Sequence, residues 1–366
     1  MRIGIDARLH GYRSGGIAEY TRQLLKALAA LDSSNEYVVM QSRRDRESLT
    51  FGENFRRLNA FTPPHHRMER IALAAEAARW RLDVLHSPDF IPPRFGAQRK
   101  IITVHDLNFL MYPQFQTPDS LRYYAGHITA AAREADVILT VSEATRRDVA
   151  DRLKVPINRL IVQYEGVDPA FHPLPPETVA KTRTRLSLPS TYLLFVGTLE
   201  PRKNIPRLLA DYARLREIVP DAPPLVLVGR RGWLFDPIFA CATELRLEAY
   251  LNWMENVTFV DLPAVYNGAS ALIMPSFYEG FGLPPLEAMA CGVPVIVSDR
   301  GALPEIVGSA GAIVDLDQPD ALVAAMHRAL TDITWRVSSI AKGYARVARF
   351  TWKHTAEVAL SAYSAG

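Results

Sequence analysis

Two carboxylates, Glu279 and Glu287, flank a short run of glycine and proline. Carboxylates accept hydrogen bonds from the vicinal hydroxyls of a ribose or a hexose. Gly280 and Gly282 allow a close approach of the backbone to a ligand and leave N–H groups at the positive end of a helix. The two prolines that follow fit the first helical turn, where a missing N–H costs nothing. This pattern predicts a ligand-binding loop. The alternative is a plain strand–loop–helix connection in which Glu287 compensates the helix dipole.

A basic pair, Arg202 and Lys203, follows a predicted strand within the segment that runs from Gly197 and Thr198 to Asn204. A planar guanidinium and a compact ammonium at the start of a helix suit a diphosphate group. A solvated basic pair after a turn is an equal alternative.

Other polar residues near predicted strand ends carry weaker signals. Gly15 and Gly16 open an amphipathic run, as a phosphate or sugar approach point or as a flexible loop. They do not form a GxGxxG fingerprint, and the chain has no P-loop. His105 could contact a sugar or cap a turn, and Asp106 fits an N-cap. The pair His65 and His66 reads as surface loop histidines. No His/Cys/Asp cluster has metal-ligand spacing, so no metal is expected.

The bulk composition limits the function classes. The chain has 366 residues, of which 48% are hydrophobic and 22% charged, and these values fit two globular domains. A net charge of +3 is too small to indicate nucleic acid as a partner. The two cysteines, Cys241 and Cys291, suggest no pairing or metal site. The opening residues reach a charge too soon for a signal peptide, and no apolar run has membrane-spanning length, so we expect a cytoplasmic protein.

Short apolar runs alternate with helical stretches, which predicts an α/β fold with two doubly wound parallel sheets. The strands expected in the first half are Arg2–Ile5, Tyr37–Met40, Val84–His86, Lys100–Val104, Val137–Val141 and Leu160–Val162. Those expected in the second half are Tyr192–Val196, Pro224–Val228, Val257–Val260, Ala271–Met274, Val293–Val297 and Ala312–Val314. A proline-rich linker, 166–176, separates the two series. Ligands bind beyond the carboxyl ends of parallel strands, so the expected site is a cleft that both domains face.

Taken together, the motifs resemble the retaining glycosyltransferases of family 4, of the GT-B superfold, and especially their bacterial mannosyltransferase-like branch. The resemblance covers nearly the whole chain, and its specific part is the element from Glu279 to Glu287. The supporting matches are Arg2–Arg8, Gly15–Ile17 with Tyr20–Thr21, Val104–Leu107, Ala135–Asp136, Thr140–Ser142, Gly166–Asp168, Gly197–Asn204, Pro275–Gly292 and Phe350–Trp352. This resemblance implies an N-terminal Rossmann-like acceptor-side domain (1–168) and a C-terminal Rossmann-like donor domain (169–345). It also implies a last helix (346–366, with Tyr344–Ala362 as its expected span) that packs back on the first domain.

The resemblance also implies a role for each matched residue. Glu279 contacts hydroxyls of the donor sugar and Glu287 contacts the ribose, while Gly280, Phe281, Gly282 and Leu283 line the pocket. Arg202 and Lys203, next to Gly197 and Thr198, hold the diphosphate. Gly15 and Gly16 approach the phosphates, and His105 faces the transferred sugar. The implied reaction transfers a hexose, with mannose from GDP-mannose as the best candidate, to a glycan or lipid-linked acceptor in cell-surface polysaccharide synthesis. It needs no metal and no protein nucleophile, and the nucleotide sugar (GDP- or UDP-linked) is a co-substrate rather than a cofactor.

Two departures from the family pattern stand out. Between Val260 and Tyr266 the chain is expected to lack several residues that relatives carry, including a glycine-bearing turn near the nucleobase. Thr198 stands where many members have arginine. The shortened segment motivates a rival hypothesis, a non-catalytic nucleotide-sugar- or partner-binding relative. A dehydrogenase or epimerase ranks last because the glycine fingerprint is missing.

The sequence does not identify the acceptor, but one segment has a composition that could favour contact with a membrane. Residues 63–83 carry four arginines around an Ala/Leu-rich centre: Arg67, Arg70, Arg79 and Arg81. Such a run predicts an ordinary surface helix with a solvated basic side, and the alternative is peripheral contact with anionic lipid at the inner membrane face.

Overall fold

The computed structural model describes residues 1–12, 15–66 and 68–364, and it divides the chain into two units. The first unit comprises Met1–Gly166 and Thr351–Gly366, and the second comprises Val167–Phe350. We expected the divisions after residues 168 and 345. The second division falls later because one helix continues to Val347 and the last helix begins only at Trp352.

In the described part of the first unit, a seven-stranded parallel sheet has the order β3-β2-β1-β4-β5-β6-β7. Its strands are β1 (Arg2–Asp6), β2 (Glu36–Ser42), β3 (Phe55–Ala60), β4 (Leu82–Ser87), β5 (Ala97–Val104), β6 (Val137–Thr140) and β7 (Leu160–Val162). Its helices are α1 (Gly16–Leu31), α2 (Glu69–Ala78), α3 (Asn108–Met111), α4 (Pro118–Glu134), α5 (Glu143–Leu153) and, after the second unit, α14 (Trp352–Ser364). The central strands are buried along most of their length, as expected for a parallel sheet covered on both faces.

The last helix, α14, packs against α1. Three small residues of α14, Ala356, Ala359 and Ala362, are completely buried. Their spacing puts them on one side of the helix, where the absence of a large side chain permits a close approach. The first unit is therefore built from two stretches of chain that are far apart in sequence.

In the described part of the second unit, a six-stranded parallel sheet has the order β10-β9-β8-β11-β12-β13. Its strands are β8 (Leu193–Val196), β9 (Leu225–Val228), β10 (Leu251–Met254), β11 (Ala271–Met274), β12 (Val295–Ser298) and β13 (Ala312–Val314). Its helices are α6 (Pro176–Arg185), α7 (Ile205–Ile218), α8 (Asp236–Glu244), α9 (Leu262–Asn267), α10 (Leu283–Ala290), α11 (Leu303–Val307), α12 (Ala321–Thr331) and α13 (Ile333–Val347). The prediction of two α/β units with parallel sheets is confirmed.

Two strand predictions and one helix prediction were wrong. The prediction omitted β3 (Phe55–Ala60), and it put a strand at Val257–Val260 where the structure has loop and turn. The strand there is β10, Leu251–Met254. The expected helix Tyr344–Ala362 is two helices, because α13 ends at Val347 and α14 begins at Trp352.

The segment 255–261 connects β10 to α9 as a loop of seven residues. That this segment is shorter than in relatives stays a prediction. None of its residues is glycine, and Glu255 pairs there with Arg231 at 2.8 Å.

No helix among the residues that the structure describes is long and apolar enough to cross a membrane.

Candidate functional site

Four charged side chains of the second unit form a buried cluster. Glu279 binds both members of the basic pair: its Oε2 accepts from Nη1 of Arg202 at 2.6 Å, and its Oε1 accepts from Nζ of Lys203 at 2.8 Å. Arg202 also donates to Oε1 of Glu200 at 2.6 Å and to the carbonyl of Tyr278 at 2.7 Å. The alternative of a solvated basic pair is wrong, since only 14% of the Arg202 side chain and 9% of the Lys203 side chain are exposed.

The cluster sets the protonation state of Glu279. Burial alone would raise the pKa of this carboxyl, but the charges of Arg202 and Lys203 outweigh it and lower the pKa to about 2. Glu279 is therefore an anion at neutral pH. With both oxygens already accepting charged hydrogen bonds, it is a weak base and a weak nucleophile.

Two neighbouring strands position this cluster. Strands β8 and β11 pair in parallel at the centre of the sheet, so their carboxyl ends meet at one edge. Arg202 and Lys203 lie in a short 3₁₀ turn after β8, and Glu279 lies in the loop after β11. The backbone N–H of Phe277 donates to the carbonyl of Arg202 at 2.9 Å, which ties the two loops together.

Glycines allow the backbone to pass close to these side chains. Gly197 has φ +155, and a Cβ there would lie 3.3 Å from Cε of Lys203. Gly301 has φ +58, and a Cβ there would lie 2.4 Å from the carbonyl oxygen of Glu279. A side chain at Gly301 would therefore push the loop that carries Glu279 out of place.

The predicted glycine–proline loop caps helix α10. Gly282 is the N-cap residue of α10, with φ +115, and Gly280 and Phe281 before it are buried. The first N–H groups of a helix have no intrahelical acceptor, and prolines follow Leu283 directly. The helix therefore offers the N–H groups of Gly282 and Leu283 at its positive end.

Glu287 lies one turn further along α10 and is held by a buried phenol. The hydroxyl of Tyr266, in α9, donates to Oε2 of Glu287 at 2.6 Å. Burial and the nearby Glu287 carboxylate raise the pKa of Tyr266 well above its usual value, so the phenol stays protonated as a donor. Glu287 is half-buried, and its orientation is set by Tyr266.

Thr198, Gly15 and Gly16 have fewer neighbours than the residues of the buried cluster. Thr198 follows Gly197 and lies against Gly232, where a Cβ would come within 2.7 Å of Cγ2 of Thr198. Gly15 and Gly16 are exposed at the start of α1, with nothing within 4 Å of an added Cβ. The residues immediately before Gly15 lie outside the described part of the chain.

In the first unit, His105 follows β5 and has an acceptor at each ring nitrogen. Nδ1 lies 3.1 Å from Oε1 of Glu165, and Nε2 lies 3.1 Å from the carbonyl oxygen of Pro88. The ring of Tyr20 packs against the imidazole edge to face, with 4.8 Å between the ring centroids. Glu165 and Pro88 therefore hold the imidazole ring from both sides. Asp106 does accept from the N–H of Asn108, at 3.0 Å, as a turn cap.

Behind His105, a buried polar network links strands β4 and β5, helix α1 and the residue after β7 with α14. Nε2 of His86 lies 2.8 Å from Oγ1 of Thr103, which lies 3.1 Å from the hydroxyl of Tyr20. Tyr20 donates to Gln163 at 2.5 Å, and Gln163 donates to the carbonyl of Thr355 in α14 at 2.8 Å. Sequence reasoning missed this network because its members are far apart in the chain.

The expectation for His65 was wrong. Its side chain is 18% exposed and its Nε2 lies 2.9 Å from Oδ2 of Asp89, whereas His66 is exposed. Within the described ranges, no group of three or more His, Cys, Asp or Glu residues has the arrangement of a metal site.

Family profiles and similar proteins all point to the same family of enzymes. The profile described as Glycosyltransferase Family 4 matches residues 14–171, and the profile described as Glycosyl transferases group 1 matches residues 179–346. O-antigen chain mannosyltransferase B of Escherichia coli is 31% identical, over 96% of this chain and 96% of that protein. The serotype-specific mannosyltransferase WbdA of Escherichia coli is 28% identical over 73% of this chain, which spans 33% of its length.

Solved structures share the fold. A sucrose-phosphate synthase from Thermosynechococcus elongatus superposes with a TM-score of 0.80 at 24% identity, covering 99% of this chain and 98% of the other. HepE of Anabaena, solved in complex with UDP and glucose, superposes with a TM-score of 0.78 at 17% identity over 100% of both chains. The fold is therefore that of the GT-B glycosyltransferases. With a relative 31% identical over almost its whole length and two family profiles that together match most of it, the chain belongs to the family 4 glycosyltransferases.

Proposed function

We propose that this glycosyltransferase moves a mannosyl residue from GDP-mannose, with retention of configuration and without a metal ion, to a glycan or lipid-linked acceptor in cell-surface polysaccharide synthesis. The observation that carries the proposal is the buried cluster of Arg202, Lys203, Glu200 and Glu279. The choice of mannose rests on the names of the relatives from Escherichia coli.

The cluster supports a nucleotide-sugar donor because it holds two cations in fixed positions. The ammonium of Lys203 has three donor protons, and one of them serves Glu279. Breaking the bond between the anomeric carbon and the phosphate oxygen builds negative charge on the departing diphosphate. Arg202, Lys203 and the N–H groups at the start of α10 are preorganised donors for that charge, which is the role a metal ion has in other transferases.

The state of Glu279 supports a reaction without a protein base. Its pKa of about 2 and its two ion pairs make it a poor proton acceptor. The acceptor hydroxyl forms the new bond to the anomeric carbon, and its proton passes to the phosphate oxygen that leaves. Glu279 then acts as an acceptor of hydrogen bonds from sugar hydroxyls and keeps Arg202 and Lys203 aligned.

Three further residues have proposed roles. Glu287, fixed by Tyr266, accepts hydrogen bonds from the ribose hydroxyls. Gly16 approaches the phosphates, and His105 contacts the transferred sugar. His105 suits this role because Glu165 and Pro88 fix both sides of its ring.

The rival hypothesis of a non-catalytic relative rested on a shortened loop. The buried ion pairs of Glu279 with Arg202 and Lys203 support the transferase instead. We therefore propose only the transferase.

The test is calorimetric titration of the purified protein with GDP-mannose, GDP-glucose, UDP-glucose and UDP-galactose in the presence of EDTA. We expect micromolar-range binding of the GDP-sugars. Lys203→Met removes the ammonium but keeps a flexible chain of similar length, and it should weaken binding at least tenfold by the loss of one charge-assisted hydrogen bond.

A matched control is Lys181→Met, which changes an exposed lysine on α6 of the same unit. It should leave donor affinity unchanged. Equal effects of the two variants, or binding of UDP-sugars alone, would refute the assigned site or the assigned base. Donor binding that disappears with EDTA and returns with Mg²⁺ would contradict the metal-free reaction.

A further inference from the structure

The first unit contains a second polar constellation that the roles above do not use. Its residues come from four places: the end of β1 with the residues after it, the turn after β4, the start of α2 with the loop before it, and α4. They line a small recess of about 20 Å³, which opens to solvent and has room for one group the size of a water molecule or a hydroxyl. The polar side chains in its wall are those of Asp6, Arg8, His65, Glu69, Asp89 and Tyr123.

Most of these groups satisfy one another. Nε and Nη2 of Arg8 donate to the two oxygens of Asp6 at 2.9 Å and 2.7 Å, and its Nη1 donates to the carbonyl of Thr62 at 3.1 Å. Glu69 accepts from the phenol of Tyr123 and from the backbone N–H of His65. Arg8 is 3% exposed, so its guanidinium is a structural part of the wall.

One oxygen in the wall is left over. Oδ2 of Asp89 pairs with Nε2 of His65 at 2.9 Å, but Oδ1 of Asp89 is buried and has no hydrogen-bond partner among the described residues. Leaving a carboxylate oxygen both desolvated and unpaired is costly, so a partner in the recess would be stabilised. A carboxylate oxygen only accepts hydrogen bonds, so the missing partner is a donor.

The charges of the side chains that line the recess indicate which kind of hydrogen-bond donor can bind there. Three carboxyl groups, those of Asp6, Glu69 and Asp89, outnumber the single guanidinium of Arg8, which already has acceptors on each nitrogen. An anionic group such as a phosphate would be repelled here. A neutral hydroxyl group fits both the charge and the missing donor.

The recess also lies beside the residue expected to face the transferred sugar. The carbonyl oxygen of Pro88, the residue before Asp89, lies 3.1 Å from Nε2 of His105. A group bound by Asp89 would therefore be held one residue away from the backbone that fixes His105.

We propose that this recess binds a hydroxyl group of a neutral hexose at the end of the acceptor glycan, with Oδ1 of Asp89 as the hydrogen-bond acceptor. The inference rests on the proposed function, because it assigns the acceptor subsite of the same reaction. It makes Asp89 a residue that positions the acceptor, and it makes the glycan end, rather than a lipid phosphate, the part recognised in this recess.

The experiment uses the full chain and ligand-detected NMR with the methyl α-glycosides of mannose, glucose and galactose, each with inorganic phosphate as a competitor. At least one glycoside should bind, and phosphate should not displace it. Asp89→Asn keeps the shape of the side chain but replaces the charged acceptor, and it should weaken glycoside binding about tenfold. Asp151→Asn, an exposed carboxylate on α5, is the matched control and should have no effect.

A second variant guards against misfolding of the first. Leu9 lines the recess and is only half-buried, so Leu9→Trp should fill the recess without changing any charge and should also abolish glycoside binding. Binding that persists in folded Leu9→Trp and Asp89→Asn, displacement by phosphate, or no glycoside binding at all would overturn the proposal. GDP-mannose is titrated into the same samples. If the unaltered protein does not bind GDP-mannose, the proposed function is wrong. If it binds GDP-mannose but no glycoside, only the proposed role of the recess is wrong.

Discussion

The hydroxyl of Tyr363, in the last helix of the chain, lies 2.7 Å from Nδ1 of His86, in the buried strand β4. Both side chains are almost completely inaccessible to solvent, at 1% and 0% exposure. A hydrogen bond in such surroundings cannot be replaced by water when one partner is removed. The contact therefore couples the C-terminal segment to the centre of the first sheet.

Tyr363→Phe removes only this hydroxyl and leaves Nδ1 of His86 unsatisfied. We expect a loss of about 1–3 kcal/mol of stability, the usual cost of an orphaned buried polar group. Thermal denaturation should show a lower midpoint for this variant. Tyr12→Phe, at a tyrosine that is 59% exposed in the same unit, is the control and should leave the midpoint unchanged. Equal midpoints for both variants would show that the contact contributes nothing.

The same histidine predicts a pH dependence. Burial, and secondly the charge of His105, lower the pKa of His86 from 6.5 to about 3. Below pH 6.5 the unfolded chain binds a proton at His86, whereas the folded chain binds it only near pH 3. The contribution of neutral His86 to the free energy of unfolding is therefore fully present above pH 6.5 and is lost as the pH falls toward 3. By pH 4.5 the loss should reach about 2–3 kcal/mol. Melting midpoints of the natural protein and His86→Gln should therefore converge between pH 7 and 4.5, and a constant difference would contradict the assignment.

Glu279 has its effect at lower pH. Arg202 and Lys203 hold the pKa of Glu279 at about 2, against 4.5 for the unperturbed side chain. The contribution of the Glu279 carboxylate to the free energy of unfolding is therefore present above pH 4.5 and is lost as the pH falls toward 2. Glu279→Gln keeps the shape but releases both cations from their counter-ion. We expect turnover to fall about 100-fold or more, because the sugar loses a charged acceptor and the cations lose their alignment.

The affinity of this variant for free nucleoside diphosphate separates the two roles of Glu279. In Glu279→Gln the diphosphate no longer competes with the Glu279 carboxylate for Arg202 and Lys203, so calorimetry should show binding that is equal to or tighter than that of the natural protein. Weaker binding of the nucleoside diphosphate would mean that Glu279 acts mainly by holding Arg202 and Lys203 in place.

Gly301 predicts a steric effect on the same loop. A Cβ at this position would lie 2.4 Å from the carbonyl oxygen of Glu279, so Gly301→Ala must shift the loop. A displacement of this order at catalytic groups costs about 100-fold in rate. Gly126→Ala is the matched control, since a Cβ there meets nothing within 4 Å and α4 should gain about 0.5–1 kcal/mol in stability. Initial rates with GDP-mannose test both, and similar rates for the two variants would contradict the proposed position of the loop.

The basic segment around α2 predicts no affinity for anionic membranes. Arg70 forms an ion pair with Glu134 and donates to the carbonyl of Pro92 at 3.1 Å, so its charge is already compensated. Arg79 and Arg81 are exposed, and Arg67 lies outside the described residues. In flotation with phosphatidylglycerol vesicles we expect the protein to stay in the dense fraction. Flotation that is lost in Arg79→Gln/Arg81→Gln would instead establish a membrane contact through this helix.

Sequence patterns predicted the central strands better than the edges. The two strands that were missed or misplaced, β3 and β10, each lie at an edge of their sheet. Strand β3 carries exposed or half-buried polar residues between its buried apolar ones, because an edge strand is covered less completely than a central one. The apolar stretch Val257–Val260 was more attractive as a strand than Leu251–Met254, yet Val260 is 84% exposed. Propensity without burial does not make a strand.

The candidate sites divide in a similar way. Glu279, Arg202 and Lys203 were predicted as site residues because each stands in a compact motif directly after a strand, and the structure brings the three together in one buried cluster. Asp89 was missed because a single aspartate in a Ser-Pro-Asp turn has no local signature. Its proposed role rests on the contact with His65 and on an oxygen without a hydrogen-bond partner among the described residues, and both observations require coordinates.

The discontinuous first unit has a consequence for synthesis of the chain. Residues of α14 are synthesised after the whole of Val167–Phe350, yet they supply three buried alanines, the contact with α1 and the partner of His86. The second unit can bury its core before α14 has been synthesised, whereas the first unit must wait for α14 to complete its own. Stalled chains that end before Trp352 should therefore carry a protease-resistant second unit and a first unit that is still susceptible to cleavage.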